Sequence, residues 1–304
     1  MKRRFALIDM AYDPDPPRHR RQIEAALGRA RSLDASLALL PELVFHPYFC
    51  QTESPAPFAE AQVLDGERTD CLRQWARKYG IVIVTSLFER RLPGIFHNTA
   101  IVVEQDGSVA GIYRKMHIPD DPGYFEKYYF TPGDTGFCPI DCSAGRLGVL
   151  VCWDQWFPEA ARLMSLAGAD CLLYPTAIGW NPEDPSAVRS RELDAWITIQ
   201  RAHAIANGCP VLVANRVGHE ADPSGHSAGI RFWGHGFAAG PQGEYLLPPD
   251  SEQSSVRVVE LEEDRTAAVR THWPFLRDRR TDAYGGIIER TTRGIPPDLK
   301  KPKD

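Results

Sequence analysis

The stretch RLGVLVCWDQWFPEAARL, residues 146–163, carries a strand, a turn and the start of a helix. Its first half is almost entirely apolar, which is typical of a strand that is buried on both faces, and we predict a strand over 146–154. Pro158 suits the first turn of a helix, and the residues after it predict a helix over 158–167 that closes near Gly168. Cys152 is therefore expected near the end of a buried strand, just before a turn into a helix.

The same alternation of apolar strand and amphipathic helix extends along most of the chain. Strands are predicted at 5–8, 37–40, 81–88, 171–174, 211–214, 236–239 and 256–261, a hairpin at 100–113, and helices at 18–31, 68–79 and 189–206. Such a pattern indicates sheets with helices packed on their outer faces. From about Thr266 the regularity fades, so we expect a domain over 1–265 and an extension over 266–304, either a mobile tail or an arm packed on a partner subunit.

Composition and charge exclude several classes of protein. The 304 residues are 43% hydrophobic and 25% charged, which is ordinary for a globular protein. The formal net charge of −5 argues against nucleic acid as the main partner, because phosphate binding favours a basic surface. The opening MKRRFALIDM fits a first strand rather than a signal peptide, and the apolar runs are too short to span a bilayer. We therefore expect a cytoplasmic protein that binds neither nucleic acid nor membrane.

The cysteines also favour a cytoplasmic protein. There are seven, an odd number with no evident pairing pattern: Cys50, Cys71, Cys138, Cys142, Cys152, Cys171 and Cys209. A reducing cytosol explains them most simply. No CxxC motif and no Cys/His set with zinc-finger spacing is present, so no structural zinc is expected.

Two further segments place reactive side chains after predicted strands. The motif PELVF puts Glu42 after the strand that ends at Pro41, and YRKMH puts Lys115 just after the hairpin. Strand ends that face the following loops are where α/β folds assemble their sites. Glu42, Lys115 and Cys152 lie far apart in sequence, so only the fold can bring them together.

These three residue types are suited to nucleophilic catalysis. A free cysteine is mostly protonated at neutral pH, and a carboxylate such as Glu42 can take its proton. An ammonium such as Lys115 favours the thiolate and can stabilise an oxyanion. Taken singly, each residue has an ordinary alternative: a core thiol for Cys152 and surface charges for the other two. A Cys–His pair with His117 or His203 is a further alternative, but no additional spacing supports it.

Together the three motifs resemble the carbon–nitrogen hydrolase (nitrilase) superfamily. The glutamate of PELVF, the lysine of YRKMHIPD and the cysteine of VCWDQWFPEAAR occur in that order, and the similarity runs from the first strand to about residue 262. The resemblance implies a single-domain, four-layer α-β-β-α sandwich with a Glu42–Lys115–Cys152 triad, no metal or organic cofactor, and a homo-oligomer built on dimers. Glu126, in GYFEKYYFTPGD, matches a second glutamate that supports the lysine or positions the substrate.

Longer stretches narrow the resemblance to one subgroup: RKMHIPDDPGYFEKYYFTPGD, VCWDQWFPEAARLMSLAGAD, YPTAIGW and ANRVG. The implied reaction is hydrolysis of N-carbamoylputrescine to putrescine, ammonia and carbon dioxide, a step of polyamine biosynthesis, through a thiocarbamoyl enzyme. Lys115 and the backbone N–H of Trp153 would stabilise the oxyanion. One alternative is an N-carbamoyl amino acid amidase such as a β-ureidopropionase, whose pocket should present an arginine. The other is a catalytically silent interaction protein.

Candidate substrate-binding residues follow from their position beside the catalytic segments: Tyr48, Trp153, Thr176, Ala177 and Asn181. Tyr48 and Trp153 fit core aromatics equally well. The subgroup is expected to carry an acidic residue after YPTAIGW, where this chain has Asn181. A substrate that ends in an ammonium needs a carboxylate or carbonyl oxygens there, because burying an unpaired charge is expensive. The acids on these loops are Glu183 and Asp121, which we expect first, together with Asp184 and Asp120.

Overall fold

The computed structural model describes residues 2–249 and 252–292, which form two six-stranded sheets and one small sheet. The first sheet contains β1 (Lys2–Asp9), β2 (Leu37–Leu39), β3 (Val82–Leu92), β4 (Ile95–Val103), β5 (Val109–Arg114) and β15 (Ser255–Glu262), in the spatial order β15-β1-β2-β3-β4-β5. The second contains β6 (Ile140–Cys142), β7 (Gly145–Val149), β8 (Cys171–Pro175), β10 (Val211–Ala214), β13 (Phe237–Ala239) and β14 (Tyr245–Leu247), in the order β14-β13-β10-β8-β7-β6. The small sheet contains β9 (Gly179–Trp180), β11 (Val217–Glu220) and β12 (Ile230–Trp233).

The two large sheets pack face to face. Successive side chains of a strand point to opposite faces, and β1 divides its apolar residues accordingly. Phe5 and Leu7 join the central core, which also contains Leu172 of the second sheet. Ala6 and Ile8 point the other way, into a separate core beneath the helices. Both faces of this strand are therefore buried.

Four helices cover the outer faces of the two sheets: α1 (Pro16–Ser32), α2 (Glu67–Tyr79), α3 (Pro158–Leu166) and α4 (Ser186–Asn207). Leu27 of α1 and Leu72 of α2 pack on the first sheet, and Met164 of α3 and Trp196 of α4 pack on the second. Each such side chain, fully buried here, contributes roughly 1.5–3 kcal/mol relative to an exposed one. The layers run helix, sheet, sheet, helix, which confirms the predicted α-β-β-α sandwich.

Local sequence signals set the ends of the helices. Asp15 caps α1, because its carboxylate accepts the backbone N–H of Arg18 at 2.8 Å, and Pro16 occupies the first turn. Gly80 and Gly208 end α2 and α4 with φ values of 57° and 56°, a left-handed conformation that glycine adopts readily. These caps explain why the predicted helices lie close to the observed ones.

The strand predicted over 146–154 is shorter than expected. It ends at Val149, and residues Cys152–Trp156 form a short 3₁₀ turn instead. Cys152 has a φ of 43°, which no β-strand tolerates. The chain therefore leaves the sheet before the cysteine and turns it toward the end of the sandwich.

The C-terminal region also differs from the expectation that regular structure fades from Thr266. A fifth helix, α5 (Glu263–His272), crosses the predicted boundary between residues 265 and 266. Residues 273–292 contain one 3₁₀ turn, Gly285–Ile288, and expose several large apolar side chains. The last part of the predicted extension, residues 293–304, lies outside the described residues. In the described part of the chain, no helix is both long and apolar enough to cross a bilayer.

Candidate active site

Glu42 sits in a tight turn after β2. Its backbone N–H donates to the carbonyl oxygen of Thr176 at 3.2 Å, and the next residue, Leu43, has a φ of 49° and donates its N–H to Ser86 Oγ at 2.9 Å. The buried guanidinium of Arg216 donates to the carbonyl oxygens of Glu42 and Leu43 at 3.2 and 2.7 Å. This left-handed turn is thus fixed from both sheets, and the Glu42 carboxylate is fixed with it.

Lys115 follows β5 and joins two carboxylates inside the protein. Its Nζ donates to Glu42 Oε1 and to Glu126 Oε2, each at 2.7 Å, and none of the three side chains is exposed beyond 1%. Glu126 Oε1 accepts the hydroxyl of Tyr48 at 2.8 Å, and Glu42 Oε1 also accepts the amide of Asn98 at 2.6 Å. Glu42 Oε2 has no hydrogen-bond partner among the residues that the structure describes, so it can accept a proton.

Cys152 lies where this buried cluster meets a cavity. The cavity has a volume of about 400 Å³, and both Cys152 and Glu126 line it. Only 4% of Cys152 is exposed, and its Sγ lies 3.9 Å from the carbonyl oxygen of Ala177. The thiol can therefore meet a small molecule in the cavity while the remaining cluster stays out of contact with bulk water.

The electrostatics keep the resting thiol protonated. Burial and the charge of Glu42 raise the pKa of Cys152 well above its ordinary value, although the ammonium of Lys115 opposes this. Burial alone would lower the pKa of Lys115, but Glu126 and Glu42 outweigh it and raise that pKa, so the lysine stays charged. A nucleophile that rests as a thiol needs a base, and the unpaired oxygen of Glu42 is suited to that task.

Glu126 titrates in the neutral range. Burial raises its pKa to about 7, with Lys115 lowering and Glu42 raising it. A carboxyl group with that pKa can gain or lose a proton near neutral pH.

The predicted substrate-binding residues divide into two groups. Trp153 and Asn181 line the cavity. Tyr48, Thr176 and Ala177 are buried behind it: Tyr48 holds Glu126, Thr176 accepts the Glu42 N–H, and Ala177 places its carbonyl near Cys152. These three residues therefore support the side chains of Glu126, Glu42 and Cys152, and their contact with substrate stays a prediction.

Besides Glu126, three acids line the cavity: Asp121, Asp184 and Glu192. Asp121 was expected, whereas Glu183 does not line the cavity and donates its backbone N–H to Asn181 Oδ1. Glu192 was missed because it lies on α4, forty residues beyond Cys152, on a helix predicted only as a structural layer. Ala195 lines the cavity too, three residues further along the helix, so one face of α4 looks into the cavity.

Other lining residues come from segments whose role could not be predicted. Tyr124 and Ile178 contribute aromatic and apolar surface, and the hairpin of β11 and β12 contributes Gly229, Ile230 and Trp233. Within residues 2–249 and 252–292, no group of three His, Cys, Asp or Glu side chains is arranged to hold a metal ion. The wall of the cavity is mainly apolar, and the charged side chains that line it are all carboxylates.

Comparison with known proteins identifies the family. Residues 4–271 match the model of the carbon–nitrogen hydrolase family, and the chain belongs to that family. It is 39% identical over 285 residues to an N-carbamoylputrescine amidase of Solanum lycopersicum, covering 93% of this chain and 94% of that protein. It is 35% identical to a citrullinase of Francisella tularensis, covering 94% and 98%. A carbon–nitrogen hydrolase of Helicobacter pylori G27 superimposes with a TM-score of 0.90 at 45% identity, covering 95% and 99%.

Proposed function

We propose that this protein hydrolyses N-carbamoylputrescine to putrescine, ammonia and carbon dioxide. The observation that carries the proposal is the position of Cys152 at the cavity wall, beside a buried cluster of Glu42, Lys115 and Glu126. Curated relatives of nearly the same length that carry this activity support the choice of substrate. In this proposal Glu42, Lys115 and Cys152 are the catalytic residues, and Glu126 supports the lysine.

The first half of the reaction forms a thiocarbamoyl enzyme. Glu42 takes the proton from Cys152 Sγ as the sulfur bonds to the ureido carbon. The carbonyl oxygen becomes an oxyanion, which the ammonium of Lys115 and the backbone N–H of Trp153 stabilise. The bond from carbon to the terminal NH₂ group then breaks, and this nitrogen receives the proton from Glu42 and leaves as ammonia.

The second half uses water. Glu42 accepts a proton from the water as its oxygen attacks the same carbon, and the bond to sulfur breaks. The proton returns to the sulfur of Cys152, which restores the thiol. The released carbamate decomposes to carbon dioxide and putrescine. Every proton is carried by Glu42, so the cycle needs no cofactor.

The acids at the cavity wall suit the cationic end of the substrate. Burial and the neighbouring carboxylate of Asp184 raise the pKa of Glu192 above its ordinary value. An ammonium between two such carboxylates would offset their mutual repulsion. Asn181 keeps a role in this arrangement, because its side-chain oxygen accepts the N–H of Glu183 at 3.1 Å and its carbonyl accepts the N–H of Asp184 at 3.0 Å. We propose that Asn181 shapes the turn that presents Asp184.

The charge of the cavity also favours an amine over a carbamoyl acid. Among the described residues that line it, four are acidic (Asp121, Glu126, Asp184 and Glu192) and none is an arginine or lysine. N-carbamoyl-β-alanine ends in a carboxylate, which these acids would repel. Citrulline, the substrate named for the relative of Francisella tularensis, carries the same ureido group with a carboxylate beside its ammonium. We expect it to be the weaker substrate for the same reason.

A panel of three substrates tests the proposal. Ammonia release is measured with N-carbamoylputrescine, citrulline and N-carbamoyl-β-alanine, and putrescine is identified as a product of the first. We expect the highest kcat/KM for N-carbamoylputrescine. A higher value for either carbamoyl acid would replace the proposal with the corresponding amino acid amidase, and no turnover of any of the three would favour a catalytically silent protein.

We also propose that the protein is a cytoplasmic homo-oligomer built on dimers. All seven cysteines are free thiols, as expected in a reducing compartment. The segment 273–292 exposes Trp273, Phe275, Ile287 and Ile288, and α3 exposes Leu163. A second copy that covers these side chains would remove them from water. Light scattering that gives a mass of 34.0 kDa, that of one chain, at assay concentrations would exclude the oligomer.

A further inference from the structure

Asp154 lies two residues after Cys152, has no exposed surface and accepts hydrogen bonds from four donors. Its Oδ2 accepts the N–H of Val151 and the hydroxyl of Tyr113, both at 2.9 Å. Its Oδ1 accepts the backbone N–H of His117 at 3.0 Å and the Nδ1–H of the same residue at 2.7 Å. A carboxylate can only accept, so His117 carries a proton on Nδ1.

One of these contacts, together with a second hydrogen bond between the same two residues, closes a clasp across the nucleophile. The side chain of Asp154 accepts the N–H of Val151, while the N–H of Asp154 donates to the carbonyl oxygen of Val151 at 3.1 Å. Cys152 lies inside this clasp with a φ of 43°. Residues other than glycine seldom adopt that conformation unless their surroundings impose it. The clasp is therefore what holds Cys152 in its turn.

The other three contacts, with Tyr113 and His117, bracket the catalytic lysine. Tyr113 lies two residues before Lys115 and His117 two residues after it. The His117 ring also stacks on Phe157, with 3.7 Å between ring centroids and 5° between planes. Phe157 ends the same turn that begins at Cys152. One buried carboxylate thus connects the segment of Lys115 to the turn of Cys152.

We infer that Asp154 is a positioning residue that holds the thiol of Cys152 in place relative to the ammonium of Lys115. It touches neither the cavity nor the triad side chains and acts through the backbone on both sides. The inference rests on the proposed catalytic roles of Cys152 and Lys115. It goes beyond them in assigning the geometry of the site to a residue outside the triad.

The test is Asp154→Asn. An asparagine has one acceptor oxygen, and its NH₂ group must face an N–H or O–H donor whichever way it turns, so at least one connection breaks. We expect kcat to fall about 100-fold, as a displacement near 1 Å produces, with KM changed by less than about 3-fold. The rate at which iodoacetamide alkylates Cys152, followed by mass spectrometry of its peptide, should fall in parallel. Asp141→Asn, at an exposed aspartate paired with Arg146, is the matched control and should behave as wild type.

Tyr113→Phe provides a second variant if Asp154→Asn does not fold. It removes one of the four donors and leaves both backbone connections, so the fold should persist, with a smaller loss of kcat and an unchanged KM. Wild-type kcat and alkylation rate in the folded Asp154→Asn protein, or in Tyr113→Phe when that is the variant that folds, would overturn the inference. The alkylation rate needs no substrate. It therefore still tests Asp154 if the wild type hydrolyses none of the carbamoyl compounds, a result that would count against the proposed function alone.

Discussion

Lys115 Nζ lies 2.7 Å from Glu42 Oε1, and neither side chain has any exposed surface. Glu126 Oε2 lies 2.7 Å from the same ammonium, so one positive charge faces two carboxylates. A buried group of charges stabilises the fold less than apolar side chains of equal volume would, because the charges lose their hydration. Stability therefore does not explain why this cluster is present. The cost is consistent with a catalytic cluster, in which charges must be fixed before the substrate arrives.

Cys152→Ala should abolish hydrolysis and leave the fold intact. The change removes one sulfur atom at the edge of a cavity, so the free energy of unfolding should change by about 1 kcal/mol or less. Cys152→Ser should also be nearly inactive, because a hydroxyl is much harder to ionise than a thiol. Activity is measured by ammonia release, with Cys138→Ala, at an exposed thiol, as the control. Inactivation by iodoacetamide that leaves Cys152 unmodified would contradict the assignment.

Glu42→Gln and Lys115→Ala should each reduce kcat by about 10²- to 10⁴-fold, the range for a positioned base or an oxyanion donor. Both groups act in one step, so the double variant should be scarcely slower than either single variant. Kinetics of the three proteins, each corrected for its folded fraction, give the comparison. Losses that simply multiply would mean that the two residues serve separate steps.

The same two residues can be compared with an exposed pair. Lys115→Ala leaves two buried carboxylates without their cation and should lower the free energy of unfolding by about 3–5 kcal/mol. Lys78 and Glu24 form an ion pair of the same 2.7 Å length on the surface. Lys78→Ala should therefore cost only about 0–1 kcal/mol and leave kcat unchanged. If urea denaturation shows that Lys115→Ala and Lys78→Ala lose the same free energy of unfolding, burial does not determine what the Lys115 cluster contributes to stability.

Glu126 should make stability depend on pH. Its pKa is raised from 4.5 to about 7 in the folded protein. Between these values the folded state binds more protons than the unfolded state, so the free energy of unfolding falls as pH rises. The contribution of Glu126 is fully present below about 4.5 and is lost as pH rises through about 7. Glu126→Gln removes this dependence.

Denaturation of wild type and Glu126→Gln across this window measures the effect as a difference. Buried histidines with lowered pKa values, such as His46 and His203, make the free energy of unfolding rise with pH. They do so equally in both proteins. The wild-type curve should fall more steeply than the variant curve between about pH 5 and 8. The kcat/KM profile of the wild type should also show a transition near 7 that the variant lacks. Parallel stability curves would show that Glu126 does not titrate there.

The pattern of the sequence was sufficient to predict sheets covered by helices, whereas the four-layer sandwich and the proposed triad were implied by the resemblance to a family. Apolar strands such as 81–88 and 211–214 are buried on both faces, so their pattern depends little on the rest of the chain. The triad residues follow strand ends, which local signals mark. The strand predicted over 146–154 was too long because the φ of Cys152 is imposed by Asp154, and no propensity reports that contact.

The cavity wall could not be predicted in the same way. Glu192 and Cys152 line the same cavity only because α4 packs on the second sheet with one face toward it. The strands β9, β11 and β12 contain two to four residues each, fewer than a periodic pattern needs. Arg216 was not predicted as a support of Glu42, because its partners are backbone carbonyl oxygens rather than a recognisable motif.

Recognition of the substrate's ammonium should depend on Asp184 and Glu192. Asp184→Asn and Glu192→Gln should each raise KM for N-carbamoylputrescine by roughly 10-fold, the worth of one hydrogen bond to a charged group. Neither should change KM for N-carbamoylbutylamine, which lacks the charge. Asn181→Asp keeps the acceptor for the Glu183 N–H and adds a further carboxylate to the cavity wall, so it should lower KM for the cationic substrate alone. Glu183→Gln, on the same turn but outside the cavity wall, is the matched control. Equal effects on both substrates would mean that these acids shape the cavity without binding the amine.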